Sequence, residues 1–178
     1  KTAYEISTRD WSSDVCSSDL NILLFFGGVD VHNLTGQFVD LLVRLNLDVQ
    51  IEVVIGQQHP CKREIEQQCI ENNLNFHIQT SQLGKLMAKS DLAIGAGGST
   101  TWERCALGLP SMVIATAHNQ IKAAKDLSDI GATRYIGYWP ELNIANVSLE
   151  IETLIKDRKN LTQMSKKDRK STRLNSSH

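Results

Sequence analysis

The chain has 178 residues, a formal net charge of −1, 41% apolar residues and four cysteines. That length suffices for one domain with a sizeable core. A near-neutral balance without a basic stripe argues against nucleic acid as the main partner, and against a membrane surface held by charge alone. No apolar run reaches membrane-spanning length.

In chain order, residues 1–20 stand apart. The segment 10–19 (DWSSDVCSSD) and the far end 168–178 (DRKSTRLNSSH) can be written as translations of the two strands of one DNA sequence. Both read as translated sequencing adapter, and 1–6 (KTAYEI) as more of it, so 1–20 and 168–178 are expected to be disordered and are set aside. Their charges are −2 and +2, so the insert at 21–167, expected to be the folded domain and cut at both ends, keeps the net −1.

Within the insert, strands and helices alternate. Residues 22–26 form an apolar run typical of a strand buried on both faces, broken by Gly27 and Gly28. A helix follows with Phe38, Leu41, Leu42 and Leu45 inward and Asn33 or Thr35 as N-cap. A strand at 51–55 closes on Gly56, and a polar helix covers about 62–72 with Ile65 and Cys69 inside. A short strand at 76–78 precedes a helix capped by Ser81. A fourth strand at 92–94 leads to a helix at 99–107, stopped by Gly108-Leu109-Pro110. A fifth strand at 112–115 precedes a helix from about Asn119 to Gly131. An edge strand at 134–136 and a helix at 147–155, with Leu149, Leu154 and Ile155 inward, complete the series. This alternation predicts an α/β fold, a doubly wound parallel (Rossmann-like) sheet with ligands at the carboxyl ends of its strands.

The unusual residues fall at those ends. Phe26-Gly27-Gly28-Val29-Asp30 fits neither G-x-G-x-x-G nor a P-loop. It reads as a phosphate-facing glycine pair or as a tight turn with Asp30 or Asn33 capping. The stretch Ala93 to Arg104 (AIGAGGSTTWER) runs from strand to helix through Gly97, Gly98, Ser99 and Thr100, whose N–H groups and hydroxyls suit a phosphate. Glu103, one turn in, suits the two hydroxyls of a ribose, but Thr100-x-x-Glu103 is also a capping box. Trp102 and Cys105 read as packing residues, and Arg104 as a solvated or salt-bridged one. After the fifth strand, Asn119 and Gln120 open a helix as ligand contacts or plain caps, and His118 lacks an identifiable carboxylate partner. His59 and His77 read as structural. With Cys16 set aside, Cys61, Cys69 and Cys105 form no C-x-x-C pair, which suits reduced thiols in a cytoplasmic protein. The scattered histidines predict no metal site.

The segments FFGGVDVHNLT, VVIG and MAKSDLAIGAGGSTTWERCALGLPSMVIATAHNQ resemble the UDP-2,4-diacetamido-2,4,6-trideoxy-β-L-altropyranose hydrolase family of bacterial pseudaminic acid synthesis. The resemblance covers nearly all of 21–167 and implies the C-terminal, UDP-binding half of a GT-B fold, similar to the enzyme that adds N-acetylglucosamine to peptidoglycan precursors. It implies Gly27 and Gly28 near the diphosphate, and Gly97, Gly98, Ser99 and Thr100 on the other side of it. Glu103 would hold the ribose, Asn119 and Gln120 would face the sugar or diphosphate, and the backbone at 78–80 the uracil. His118 stands where relatives often carry an acid. The resemblance implies UDP-sugar hydrolysis with no cofactor and no metal. The base would lie in a missing N-terminal domain, so this fragment carries no catalytic residue of its own. The alternatives are the C-terminal domain of a GT-B glycosyltransferase and a non-catalytic nucleotide-sensing module; neither fold nor loop pattern separates them.

Overall fold

A computed structural model of the chain describes residues 20–175. Six strands, β1 (Asn21–Phe25), β2 (Gln50–Ile55), β3 (Asn75–Ile78), β4 (Leu92–Ala96), β5 (Ser111–Ala115) and β6 (Arg134–Tyr138), form one sheet in the order β3-β2-β1-β4-β5-β6. Every neighbouring pair is parallel. Parallel strands need crossovers, and the helices supply them: α1 (Leu34–Leu45), α2 (Lys62–Glu71), α3 (Leu83–Lys89), α4 (Thr100–Leu107) and α5 (His118–Asp129). A 3-10 turn (Trp139–Glu141), α6 (Ile144–Lys156) and α7 (Arg158–Asn175) follow β6.

Both sheet faces are covered, because alternate residues of one strand enter different cores. Ile22 and Leu24 pack with Phe38, Leu42, Ile65 and Ile151, whereas Leu23 packs with Val54, Met87, Ala93 and Leu109. Each fully buried leucine of β1 contributes roughly 1.5–3 kcal/mol. This explains why the strands read as unbroken apolar runs rather than alternating ones. The strand order reverses between β1 and β4, which are neighbours with Phe25 opposite Gly95. Gly27 and Gly97, each two residues further on, therefore leave adjacent strands at the same level. That crevice is where such sheets bind ligands.

Several local expectations change. Leu20 is fully buried and its carbonyl accepts the Gln50 N–H, so the folded unit begins at least one residue before 21. At the other end α7 runs helically to Asn175, where the adapter reading expects disorder from 168. The helix is anchored earlier, by the buried Leu161 and Met164, and its backbone continues past them. Residues 1–19 and 176–178 lie outside the described residues. In α6 the core face is Val147, Ile151, Leu154 and Ile155, and Leu149 is 66% exposed. A helix starting at Ile144, with Asn143 accepting from the Ala145 and Asn146 N–H groups, turns Leu149 away. Gln82, not Ser81, precedes α3, and no side chain caps it.

Candidate functional site

The β1–α1 turn is closed by its own side chains. Gly27 adopts φ +104, a region other residues avoid. A Cβ at Gly56 would stand 1.8 Å from the Gly28 carbonyl oxygen, so the end of β2 presses directly on this turn. Asp30, at φ 40, turns its carboxylate back onto α1. The carboxylate accepts the Leu34 N–H at 3.0 Å, the Thr35 N–H at 2.7 Å and the Thr35 hydroxyl at 2.7 Å. Asn33, at φ 49, accepts the Gly36 N–H through its side chain and the Gln37 N–H through its carbonyl. Asp30 and Asn33 thus cap α1 together, and Thr35 is a donor to the cap. His59, fully buried in its side chain, lies 3.2 Å from Asp30 Oδ2. Its Nδ1 accepts the Cys61 N–H, so Nε2 carries the hydrogen and donates it to the carboxylate. The structural reading of His59 gains its reason: it ties the β2–α2 connection to the α1 cap.

The β4–α4 turn is built in the opposite way. Ser99 precedes α4 in helical conformation, and no side chain caps the helix. The Thr101 and Trp102 N–H groups bond back to the Gly98 and Ser99 carbonyls. The N–H groups of Gly98, Ser99 and Thr100 find no acceptor among the described residues. Thr100-x-x-Glu103 does not close as a capping box, and the exposed Glu103 carboxylate has no partner among the described residues. Three open donors and a free carboxylate one turn away can receive an anion beside a pair of hydroxyls.

The inner face of α4 is Thr101, Arg104 and Cys105. This corrects two expectations: Trp102 is 45% exposed, and Arg104 is the largest fully buried side chain among the described residues. A helix starting at Thr100 turns 101, 104 and 105 inward and carries 102 outward. Arg104 was missed because arginine is rarely buried. Its signal was Gly95, a glycine inside an apolar strand, which marks a close approach. A Cβ there would stand 2.1 Å from the Phe25 carbonyl oxygen and 2.7 Å from Arg104 Nη1.

The β5–α5 turn completes the edge. The Gly97 N–H donates to the Ile114 carbonyl. Gln120 Oε1 accepts the Thr116 N–H at 2.9 Å and its hydroxyl at 3.2 Å, and a Cβ at Gly97 would meet the Gln120 side chain at 3.4 Å. Gln120 therefore fastens this turn against Gly97, while Asn119 is exposed at the start of an uncapped helix. The His118 ring lies 4.5 Å from that of Tyr138, at the end of β6. Gly27, Gly28, Gly97, Gly98, Ser99, Thr100, Glu103, Asn119 and Gln120 thus all lie at or just beyond the carboxyl ends of three adjacent strands. Residues 78–80 end β3, two strands from β1, where Gln79 at φ 42 donates to the Ile55 carbonyl.

A cavity of about 560 Å³ sits at the opposite edge, lined by Leu42, Asn46, Gln50, Asn72, Asn73 and Asn75 among others, with no charged side chain. It follows from the left-handed Asn46 and Asn73 that end α1 and α2, and it is remote from the glycine turns. Among the described residues no three His, Cys, Asp or Glu side chains gather as metal ligands, and no helix is long and apolar enough to cross a membrane. Burial raises the Cys69 thiol to about 11, which keeps it protonated as a packing group.

The model of the Glycosyltransferase family 28 C-terminal domain matches residues 22–177. Among curated proteins, the chain is 31% identical over 138 residues to the UDP-N-acetylglucosamine–N-acetylmuramyl-(pentapeptide) pyrophosphoryl-undecaprenol N-acetylglucosamine transferase of Campylobacter jejuni subsp. doylei, covering 71% of this chain and 39% of that one. It is 28% identical over 121 residues to the spore coat polysaccharide biosynthesis protein SpsG of Bacillus subtilis, covering 66% and 35%. Among solved structures, MurG of Acinetobacter baumannii superposes with a TM-score of 0.68 at 24% identity, over 85% of this chain and 47% of that one. The spinosyn rhamnosyltransferase SpnG, solved with thymidine diphosphate, superposes at 0.62 with 16% identity, over 85% and 42%. The chain spans less than half the length of each of these relatives.

These findings overturn the expected UDP-sugar hydrolase, and they lend no support to a place in pseudaminic acid synthesis. The matching family is one of transferases, and two of the curated relatives are named as N-acetylglucosamine transferases. Both readings expect the same nucleotide-facing loops and leave the second substrate unspecified, which is how the resemblance misled. The GT-B expectation for the fold stands, and a match spanning nearly the whole chain makes this protein a member of the glycosyltransferase family 28 C-terminal domains.

Proposed function

We propose that this chain is the donor-nucleotide half of a GT-B glycosyltransferase, holding a nucleoside-diphosphate sugar, with UDP as the first candidate nucleotide. The observation that carries the reading is the uncapped start of α4, with three open N–H groups beside the free Glu103 carboxylate. A diphosphate fits the donors, and the carboxylate can accept both ribose hydroxyls. Two relatives are named for UDP-N-acetylglucosamine and two solved neighbours hold thymidine diphosphate, which supports a pyrimidine nucleotide.

In this reading the half contributes binding of the leaving nucleotide. In glycosyl transfer the acceptor hydroxyl attacks the anomeric carbon as the sugar–phosphate bond breaks, and negative charge grows on the departing diphosphate. Donors aimed at that charge stabilise the transition state. Deprotonation of the acceptor and recognition of its structure are assigned to the remaining length that the relatives possess.

Calorimetric titration of the full chain with UDP, dTDP, uridine and inorganic phosphate tests this. UDP is expected to bind more tightly than uridine or phosphate, because the site joins both parts. A thymine preference would show as dTDP exceeding UDP. Failure of both diphosphates to bind would defeat the reading.

A further inference from the structure

We propose that Arg104 is a positioning residue of this nucleotide site: its buried guanidinium holds the β4–α4 turn in the shape that presents the open N–H groups to a diphosphate, and sets a fixed positive charge beneath them. The proposal rests on the donor-nucleotide reading and adds to it a residue that faces no ligand directly.

The geometry is specific. Side chains on a helix lean toward its N-terminus, so a long one at 104 runs back beneath the first turn. Nη2 of Arg104 donates to the Ala96 carbonyl at 2.8 Å and to the Thr101 hydroxyl at 2.9 Å. Ala96 is the last residue of β4, and Thr101 the second of α4. One planar group therefore ties together the two ends of the four-residue stretch Gly97, Gly98, Ser99 and Thr100, three of whose N–H groups are open. Room for it comes from Gly95, where a Cβ would stand 2.7 Å from Nη1.

Packing alone does not call for such a residue. Taking a guanidinium out of water is costly, and an apolar side chain of similar size fills a helix–sheet interface without that penalty. Guanidinium stays charged at any working pH. A strand-end carbonyl left to itself is also free to reorient, and with it the glycines that follow.

The test compares UDP with uridine, because the proposal concerns only the phosphate-dependent part of binding. Arg104→Met, Arg104→Lys and Thr101→Val are titrated with both ligands, well below the melting temperature of each variant. Arg104→Met is expected to weaken UDP by about tenfold or more while uridine changes by less than about twofold. Arg104→Lys keeps the charge without the planar fork, so it should recover part of the loss. Thr101→Val removes one arm of the tie and should lose less than Arg104→Met. A purely structural role predicts instead a lower melting temperature with the UDP-to-uridine ratio unchanged. If Arg104→Met does not fold, the other two decide: a shifted ratio in both supports the proposal, and an unshifted ratio in either overturns it. A parent chain that binds UDP no better than uridine overturns the donor-nucleotide reading along with the proposal. A parent that discriminates, with variants that discriminate equally well, overturns the proposal alone.

Discussion

The β1–α1 and β4–α4 turns begin alike and end differently. Each follows a central strand of the sheet, each contains a glycine pair, and they leave adjacent strands at the same level. In the first, Asp30 and Asn33 take the N–H groups of Leu34, Thr35, Gly36 and Gln37, and His59 holds Asp30 in place. The protein has supplied its own anion to α1. In the second, no side chain caps α4, and the N–H groups of Gly98, Ser99 and Thr100 have no acceptor among the described residues. A glycine-rich strand-to-helix turn is therefore an anion site only when no carboxylate of the chain already occupies it. In the proposed reading, that difference gives Asp30 a role in stability and Glu103 one in binding.

Predictions that break or sharpen the contrast fall in a definite order of size, counting stability and affinity together. Gly95→Ala strikes both turns at once, since its Cβ would collide with the Phe25 carbonyl and crowd the Arg104 guanidinium. It is expected to destabilise by about 3 kcal/mol or more, visible as a large drop in melting temperature or as insoluble protein. A normal melt would mean that β1 and β4 can separate there without penalty.

Asp30→Ala removes the acceptor for two backbone N–H groups and the Thr35 hydroxyl and leaves Nε2 of the buried His59 without its acceptor. A loss of about 2–3 kcal/mol is expected in urea unfolding, from a cap and a charge-assisted bond together. UDP affinity measured well below the melting point should fall much less than for Glu103→Gln. The opposite pattern, unchanged stability with binding lost, would place Asp30 on the ligand and dissolve the contrast.

Glu103→Gln probes the open turn. With no partner among the described residues, Glu103 should leave the melt unmoved on substitution. UDP affinity should drop by about one to two powers of ten, the worth of roughly 1.5–3 kcal/mol in charge-assisted bonds. Uracil lacks the ribose, so its binding should not change. Equal UDP affinity in variant and parent would remove Glu103 from the site.

The smallest effect belongs to the ends. Removing 1–19 and 168–178 together keeps Leu20, Leu161 and Met164, all buried, and should shift stability by less than about 0.5 kcal/mol. A larger loss would show that at least one of the two removed ends contributes packing of its own.

Strand and helix order, the doubly wound sheet and the glycine turns were legible in the sequence, because each rests on a local period or a local conformational need. Short apolar runs followed by glycines, such as Leu92–Ala96, read as strands covered on both faces, and Gly27 is needed where φ reaches +104. Partnerships between distant residues were not legible. Asp30 and His59 are 29 positions apart, and meet because β2 lies beside β1 and Gly56 lets their turns touch. Glu103 fitted a cap and a ribose equally well until the start of α4 left it free. Arg104 could be read as a surface residue until the helix start fixed which side of α4 faces β4 and Gly95 made room for it. Composition and periodicity act over a few residues and determined the elements. Which donors stay open at the end of the sheet depends on strand order, neighbouring turns and the face each helix buries, and only the packed chain decides those.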